Sequence, residues 1–482
     1  MTAPARPWLG FLAAILASPA IAAAAVSETL PGPVQRVLEG HGLDPGDVSI
    51  YVRELGGGRE VIAHEADVPR NPASVIKLLT TFVALDELTP AYTWRTAIYA
   101  DGTLDGDRLT GNLVIKGGGD PYLVQERFWV LLGELRRRGV REISGDLVVD
   151  GSHFQPGPED PGAFDQQPLR AYNVTPHALL VNFNVVRFWF EPRPDGVAVS
   201  LEPPLPNVRI ENRLRPAAGR CRGYQRGIAM RASRAEGTVT LSGDFPTACG
   251  RYSLGRSVLS HEDYAYGLFT LLWRELGGEF TGELVVAEAP EDAELLVSMD
   301  SPPLGEVIRS VNKYSNNVMT RQLFYTLGIE RYGPPGTEEN GRRAIRAWLD
   351  ENGLDFPELI MENGAGRSRD ARITARHMGD LLATAWESRW MPEFASSMAI
   401  SGMDGTYRRR LRGEATAGRA RLKTGSLDDV SAVAGYLQAL DGARYAVVVL
   451  HGASGVHRGP GDELQDALLD WVHRFSHPTK SP

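Results

Sequence analysis

Apolar and polar positions alternate with a period of two across residues 47–64. Val48, Ile50 and Val52 fall on one side of the turn Gly56-Gly57-Gly58 and Val61 and Ala63 on the other, which predicts a β-hairpin. The hairpin leads into 71–81, where Val75, Ile76, Leu78 and Leu79 follow Pro72, so a loop enters a buried helix with Pro72-Ala73 near its first turn. Between 92 and 151 short strand patterns recur at 94–99, 111–116 and 145–150, interrupted by one amphipathic helix at about 123–138. The glycine run 117–119 lacks the G-K-[ST] of a phosphate loop and reads as a structural turn. Residues 151–169, rich in Pro, Gly and Asp, predict a long loop of the kind that borders functional sites. Strand patterns return at 185–190, 197–201, 208–212 and 237–242, predicting a small all-β insertion. Helical periodicity resumes at 263–276, 304–313 and 318–327, and two adjacent strands follow at 430–437 and 445–450.

The first residues change the compartment. Arg6, an apolar stretch from 8 to 17 and small residues at 20–24 form the pattern of a secretory signal peptide over 1–24, and Pro19 argues against a membrane anchor. The remaining ~455 residues exceed one ordinary core and predict two or three domains. A net charge of −9 argues against nucleic acid or an anionic membrane surface as main partner. Cys221 and Cys249 are the only cysteines; in an exported chain they read as a disulfide, with two free buried thiols as the alternative, and no histidine cluster flanks them to make a metal site.

Chemistry enters through the lysines. Of 51 basic residues only Lys77, Lys116, Lys313, Lys423 and Lys480 are lysine. Arginine stays protonated, whereas a buried lysine can lose its proton and act as a base. Ser74 and Lys77, three residues apart, share one helix face, so they form a candidate nucleophile and base. Such an S-x-x-K arises by chance roughly 0.3 times in a chain of this composition, and Ser310 with Lys313 is a second one, so context must decide. Ser315-Asn316-Asn317, between two helical patterns, reads either as a helix cap or as a hydroxyl and an amide that relay a proton and hold a peptide oxygen. Lys423-Thr424-Gly425-Ser426 is harder to reach by accident, since K-T-G is expected roughly 0.03 times. A strand edge bearing an ammonium, a hydroxyl and a glycine suits an extended peptide with a terminal carboxylate.

S-x-x-K, S-x-N and K-T-G in this order resemble penicillin-binding proteins and class A β-lactamases. The 241 residues between Ser74 and Ser315 single out the class C low-molecular-mass penicillin-binding proteins, the D-alanyl-D-alanine carboxypeptidase/endopeptidases of peptidase family S13. The resemblance extends over 111–123, 145–154, 172–184, 311–317 and 402–410. The family pattern D-G-S-G-L-S-R is altered here to Asn363-Gly364-Ala365-Gly366-Arg367-Ser368-Arg369 after Glu362.

The resemblance implies an α/β (α+β) fold: a β-lactamase-like domain with an antiparallel sheet flanked by helices, from 25–96 and 290–482. Into it would be inserted domain II (97–185 and 262–289) and a small β domain III (186–261) holding the cysteine pair. It implies an exported, periplasmic hydrolase acting on peptidoglycan through an acyl-enzyme, with catalytic Ser74, Lys77, Ser315, Asn317 and Lys423. The backbone N–H groups of Ser74 and Ser426 would form the oxyanion hole. Thr424, Gly425 and Ser426 would hold substrate, with Arg369 and Asp165 at its diamino acid side chain. β-Lactams would be covalent inhibitors, no cofactor or metal is implied, and a homodimer is compatible. Two rivals share the constellation: a β-lactamase or esterase, and a catalytically silent wall-binding protein.

Overall fold

The computed structural model describes residues 29–475, apart from 222 and 224–226. The predicted signal peptide lies outside the described residues. Among them, no helix is long and apolar enough to cross a membrane.

The centre is a six-stranded antiparallel sheet in the order Ala399–Ile400, Ala420–Leu427, Val430–Gln438, Arg444–Gly452, Val48–Glu54, Glu60–His64. The predicted hairpin therefore pairs with a strand from the far end of the chain, Val48 opposite His451. Arg444–Gly452 is apolar almost throughout because both faces are covered. Ala446, Val448 and Leu450 enter the helical layer, while Val447 and Val449 pack with Val34, Leu38, Leu464 and Leu468 of helices Gly32–His41 and Pro460–Arg474. Each such fully buried valine or leucine contributes about 1.5–3 kcal/mol. The opposite layer holds helices Lys77–Leu88, Leu304–Tyr314, Asn317–Tyr332, Glu338–Glu351 and Ala375–Glu387.

The insertion leaves after helix Lys77–Leu88 and returns before helix Leu304–Tyr314. It contains a seven-stranded sheet, two three-stranded sheets and helices Gln125–Arg137 and His261–Glu275. Strand Glu294–Asp300 belongs to the inserted sheet, with Asp300 opposite Arg95 and Glu294 opposite Ala100. The return to the peptidase part thus falls after 300 and not at the expected 290, because this strand's partner is Arg95–Asp105. The β segment expected to stand apart at 186–261 shares one hydrophobic core with the larger sheet: Phe188, Phe190 and Leu241 cluster with Ile98, Leu113 and Phe269. Strands Ile228–Ser233 and Tyr252–Arg256 escaped the sequence pattern because Ala229 puts an apolar residue on the exposed face of the first, and the second is only five residues long and contains Gly255. Cys221 and Cys249 form a disulfide with their Cα atoms 4.8 Å apart. The glycine turn is structural: a Cβ at Gly117 would lie 2.3 Å from the Ala178 carbonyl, and Lys116 pairs with the buried Asp150 at 2.9 Å.

Candidate active site

Ser74 sits in a 3₁₀ turn, Ala73–Ile76, that runs directly into the α-helix beginning at Lys77. In a 3₁₀ turn positions three apart eclipse, which places Lys77 under Ser74 more directly than an α-helix would. Lys77 Nζ lies 2.8 Å from Ser74 Oγ and 2.8 Å from Asn317 Oδ1, and it also contacts the Ala365 carbonyl oxygen. Ala73 is held at φ 44°, unusual for a residue with a side chain. Two contacts secure the turn. Asn71 accepts from Ala73 N at 2.9 Å and donates to the Ser368 carbonyl at 2.9 Å. Gly366 fits against Ala73, where a Cβ would fall 1.9 Å from the Ala73 oxygen.

Lys77 is fully buried. Burial holds its ammonium well below the ordinary lysine range, and the charges of Lys423 and Arg367 lower it further. Neutral, it can donate to Asn317 and Ala365 and still offer a lone pair to the Ser74 hydroxyl proton. A serine activated in this way can attack a carbonyl.

The Ser-Asn-Asn segment is a helix cap whose flanking side chains meet the two lysines. Asn316 caps helix Asn317–Tyr332 by accepting from Met319 N at 3.1 Å. That cap, with Ser315 at φ 57°, turns the flanking Ser315 and Asn317 side chains toward the two lysines. Lys423 Nζ lies 2.8 Å from Ser315 Oγ and 2.7 Å from the Thr424 carbonyl oxygen, and burial pushes its pKa down to about 7. Its strand pairs with Ala399–Ile400 only at Arg421 and Leu422, so from Lys423 onward that side of the strand has no strand neighbour. Gly425 permits its closest approach to the nucleophile turn, since a Cβ would stand 2.7 Å from the Pro72 oxygen and 2.9 Å from Ser74 N. Ser426 thereby joins Ser74, Ser315 and Asn317 around one cavity of about 370 Å³.

Asp165 and Arg369 line that cavity too, but neither side chain is uncommitted. Asp165 accepts from Asn173 Nδ2 at 2.8 Å and Gln167 N at 3.0 Å; Arg369 donates to the Asp428 carbonyl at 3.3 Å. Burial raises the Asp165 pKa, but these hydrogen bonds, one from Tyr172 and the charge of Arg367 outweigh it and hold the carboxyl below its usual range. The predicted loop at 151–169 does border the site, through Phe164 and Asp165.

Sequence reasoning missed Arg367, whose guanidinium donates to the Tyr172 carbonyl at 3.0 Å and lies 4.6 Å from the Phe164 ring centre. Its only sequence signal is that it stands where the family pattern has leucine. Thr406, whose hydroxyl is 2.9 Å from that of Thr424, was also missed, though it lies inside the resembling segment 402–410. Lys313 is structural: its ammonium is 2.5 Å from Asp404 Oδ2 and donates to the Met398 carbonyl at 3.0 Å. The second S-x-x-K is thus accounted for.

Two buried lysines, each within hydrogen-bond distance of a serine hydroxyl at the junction of an antiparallel sheet and a helical layer, form an arrangement that can support serine acyl transfer with lysine as the proton carrier. The D-Ala-D-Ala carboxypeptidase 3 (S13) family profile matches residues 33–474, and the chain belongs to this family, a serine-type D-Ala-D-Ala carboxypeptidase. It is 27% identical over 473 residues to a D-alanyl-D-alanine carboxypeptidase of an Actinomadura species, covering 94% of this chain and 86% of the relative. Against D-alanyl-D-alanine carboxypeptidase DacB of Haemophilus influenzae it is 25% identical, covering 78% and 79%. The crystal structure of penicillin binding protein 4 from Haemophilus influenzae superposes with a TM-score of 0.78 at 22% identity, over 92% of this chain and 99% of that one, so the fold is shared.

Proposed function

We propose that this chain is an exported, periplasmic serine peptidase that removes the terminal D-Ala of peptidoglycan stem peptides and opens D-configured crosslinks, and that β-lactams acylate it. The observation that carries this reading is the pair of contacts Lys77–Ser74 and Lys423–Ser315, 2.8 Å each, around one cavity.

Ser74 Oγ attacks the carbonyl of the D-Ala-D-Ala bond as its proton passes to neutral Lys77. The oxyanion develops against the N–H groups of Ser74 and Ser426, each such donor contributing about 3 kcal/mol. The leaving amine takes a proton relayed through Ser315 from Lys423. Water, deprotonated by the same lysine machinery, then releases the acyl group and restores Ser74. Asn317 and Thr424 hold the peptide and its carboxylate, while Arg369 and Asp165 flank the diamino acid side chain. Division into a peptidase unit and an inserted β-rich unit is supported by Phe164, Asp165 and Tyr172 of the insertion lining this cavity.

Mass spectrometry after brief exposure to benzylpenicillin tests the reading, with Ser74→Ala alongside. A stable adduct on the Ser74 peptide, absent from the variant, is expected. Hydrolysed penicillin without adduct would favour a β-lactamase, and intact drug with unmodified protein a silent wall-binding protein.

A further inference from the structure

Charge is divided unevenly along the chain. Residues 186–261 carry twelve arginines, no lysine and six carboxylates, a net charge of +6, while the rest of the chain stands at −15. This segment builds the two small sheets of the insertion, and one of them orders its arginines on a single face. Its strands run Ile228–Ser233, Thr238–Pro246, Arg209–Ala217. Leu214, Ile228, Val239 and Leu241 lie in the core, so the side chains that alternate with them stand on the outer face. There Arg209, Arg213 and Arg215 project from one edge strand and Arg231 from the other, all four exposed, with the hydroxyls of Thr240 and Ser242 between them.

The carboxylates that these strands place on the same face, Glu211 and Asp244, offset only part of this charge. Arg213 meets Glu211 at 2.8 Å and Arg215 meets Asp244 at 3.1 Å, yet the two arginine side chains remain 68% and 77% exposed. Ion pairs so exposed are weak, and each leaves further N–H groups of the guanidinium for another acceptor. Arg209 donates to the Thr238 hydroxyl at 3.0 Å, and Arg231 stands opposite Thr240, so these two charges have no counterpart on the face. From strand geometry the four guanidiniums spread over roughly 20 by 10 Å. A single small anion would engage one corner of such a field; a polymer bearing carboxylates at intervals engages all of it.

The face also belongs to the part of the insertion that reaches the catalytic cavity. Strand Tyr252–Arg256 shares its core through Leu254, and just beyond that strand Ser257 N donates to the Leu169 carbonyl at 3.0 Å, with Arg256 bridged to Arg170. The segment so held supplies Phe164, Asp165 and Tyr172 to the cavity wall. We propose that the outer face of this sheet is a docking surface for polymeric peptidoglycan, engaging carboxylates of stems other than the one being cleaved. The inference rests on the peptidase reading above, which makes the substrate a polymer of stems ending in carboxylates. The face holds the polymer beside the cavity, and a soluble peptide that occupies the cavity alone gains nothing from it.

The test compares the full protein with the triple variant Arg213→Gln, Arg215→Gln, Arg231→Gln. Glutamine keeps much of the side-chain stem, Glu211 still accepts from Thr240, and thermal unfolding checks that the fold is retained. Binding is read by co-sedimentation with purified insoluble peptidoglycan, both proteins carrying Ser74→Ala so that the polymer is not consumed. Binding should weaken when salt is raised from 50 to 200 mM, and the triple variant should bind about tenfold more weakly, as loss of three exposed charge pairs implies. With Ser74 intact, the triple variant should release D-Ala from the insoluble polymer severalfold more slowly, while its rate on a soluble peptide ending in D-Ala-D-Ala and its benzylpenicillin acylation stay unchanged. Equal sedimentation of the two proteins, or binding to phosphatidylglycerol vesicles without binding to the polymer, would overturn the docking surface and leave the peptidase reading standing. Absence of benzylpenicillin acylation in wild type would instead sink the peptidase reading, and sedimentation would still report on the face.

Discussion

Gly425→Ala is the sharpest probe of how the K-T-G strand and the nucleophile turn work together. The added Cβ would meet the Pro72 oxygen at 2.7 Å, Ser74 N at 2.9 Å and Ala73 Cβ at 3.0 Å. Two of these are backbone atoms, and the third is the methyl of a residue already held at φ 44°, so no flexible side chain can yield. Restoring ordinary contact of about 3.4 Å means separating strand and turn by roughly 0.5–0.7 Å. That separation moves the Ser74 and Ser426 N–H groups apart, the two donors assigned to the oxyanion. Losing one oxyanion donor costs about 10²–10³ in rate, and a misplacement near 1 Å about 10², so the shift should slow acylation roughly 10- to 100-fold. The assay is the second-order rate of benzylpenicillin acylation followed by mass spectrometry, with thermal unfolding as a control for folding. A folded Gly425→Ala protein that acylates within about threefold of wild type would refute the reasoning.

Three further outcomes follow from the same contacts. Lys423 has a folded pKa of about 7 against an ordinary 10.5, so its contribution to stability is complete above 10.5 and is lost as pH falls toward 7. Lys423→Met lacks that dependence, and its stability relative to wild type should rise by about 2–3 kcal/mol between pH 9 and pH 6; urea titrations showing a constant difference would contradict the buried, neutral-prone lysine. Lys313→Met leaves Asp404, about a third exposed and still accepting from Ile400 N, without its cation; stability should fall by about 1–2 kcal/mol, read as an earlier urea midpoint, and an unchanged midpoint would mean that the pair contributes nothing to the fold. Replacing both Cys221 and Cys249 by serine removes a link across 28 residues, worth about 3 kcal/mol to the β-rich insertion. Faster limited proteolysis with unaltered penicillin acylation is expected, and loss of acylation would tie the insertion to the catalytic core.

Short-range pattern was sufficient for much of this protein. The period-two hairpin at 47–64, the two late strands and the helices flanking Ser315 depend on neighbours a few residues away, and they appear within a few residues of their expected limits. The scarcity of lysine made Lys77 and Lys423 visible, because each must be explained by chemistry that arginine cannot perform. Lys313 shows the limit of that logic: it is equally rare, yet it serves an ion pair with a residue 91 positions later. Arg367 was hidden for the opposite reason, one arginine among many, and only the fold brings it between Phe164 and Tyr172. The sequence by itself determined which residue types could act as nucleophile, base and relay. Tertiary structure alone decided their distances, the pKa shifts that burial imposes, and the pairing of Val48–Glu54 with Arg444–Gly452. The physical reason is that local periodicity encodes which face of an element is apolar, whereas the partner across the core is selected by packing between segments hundreds of residues apart.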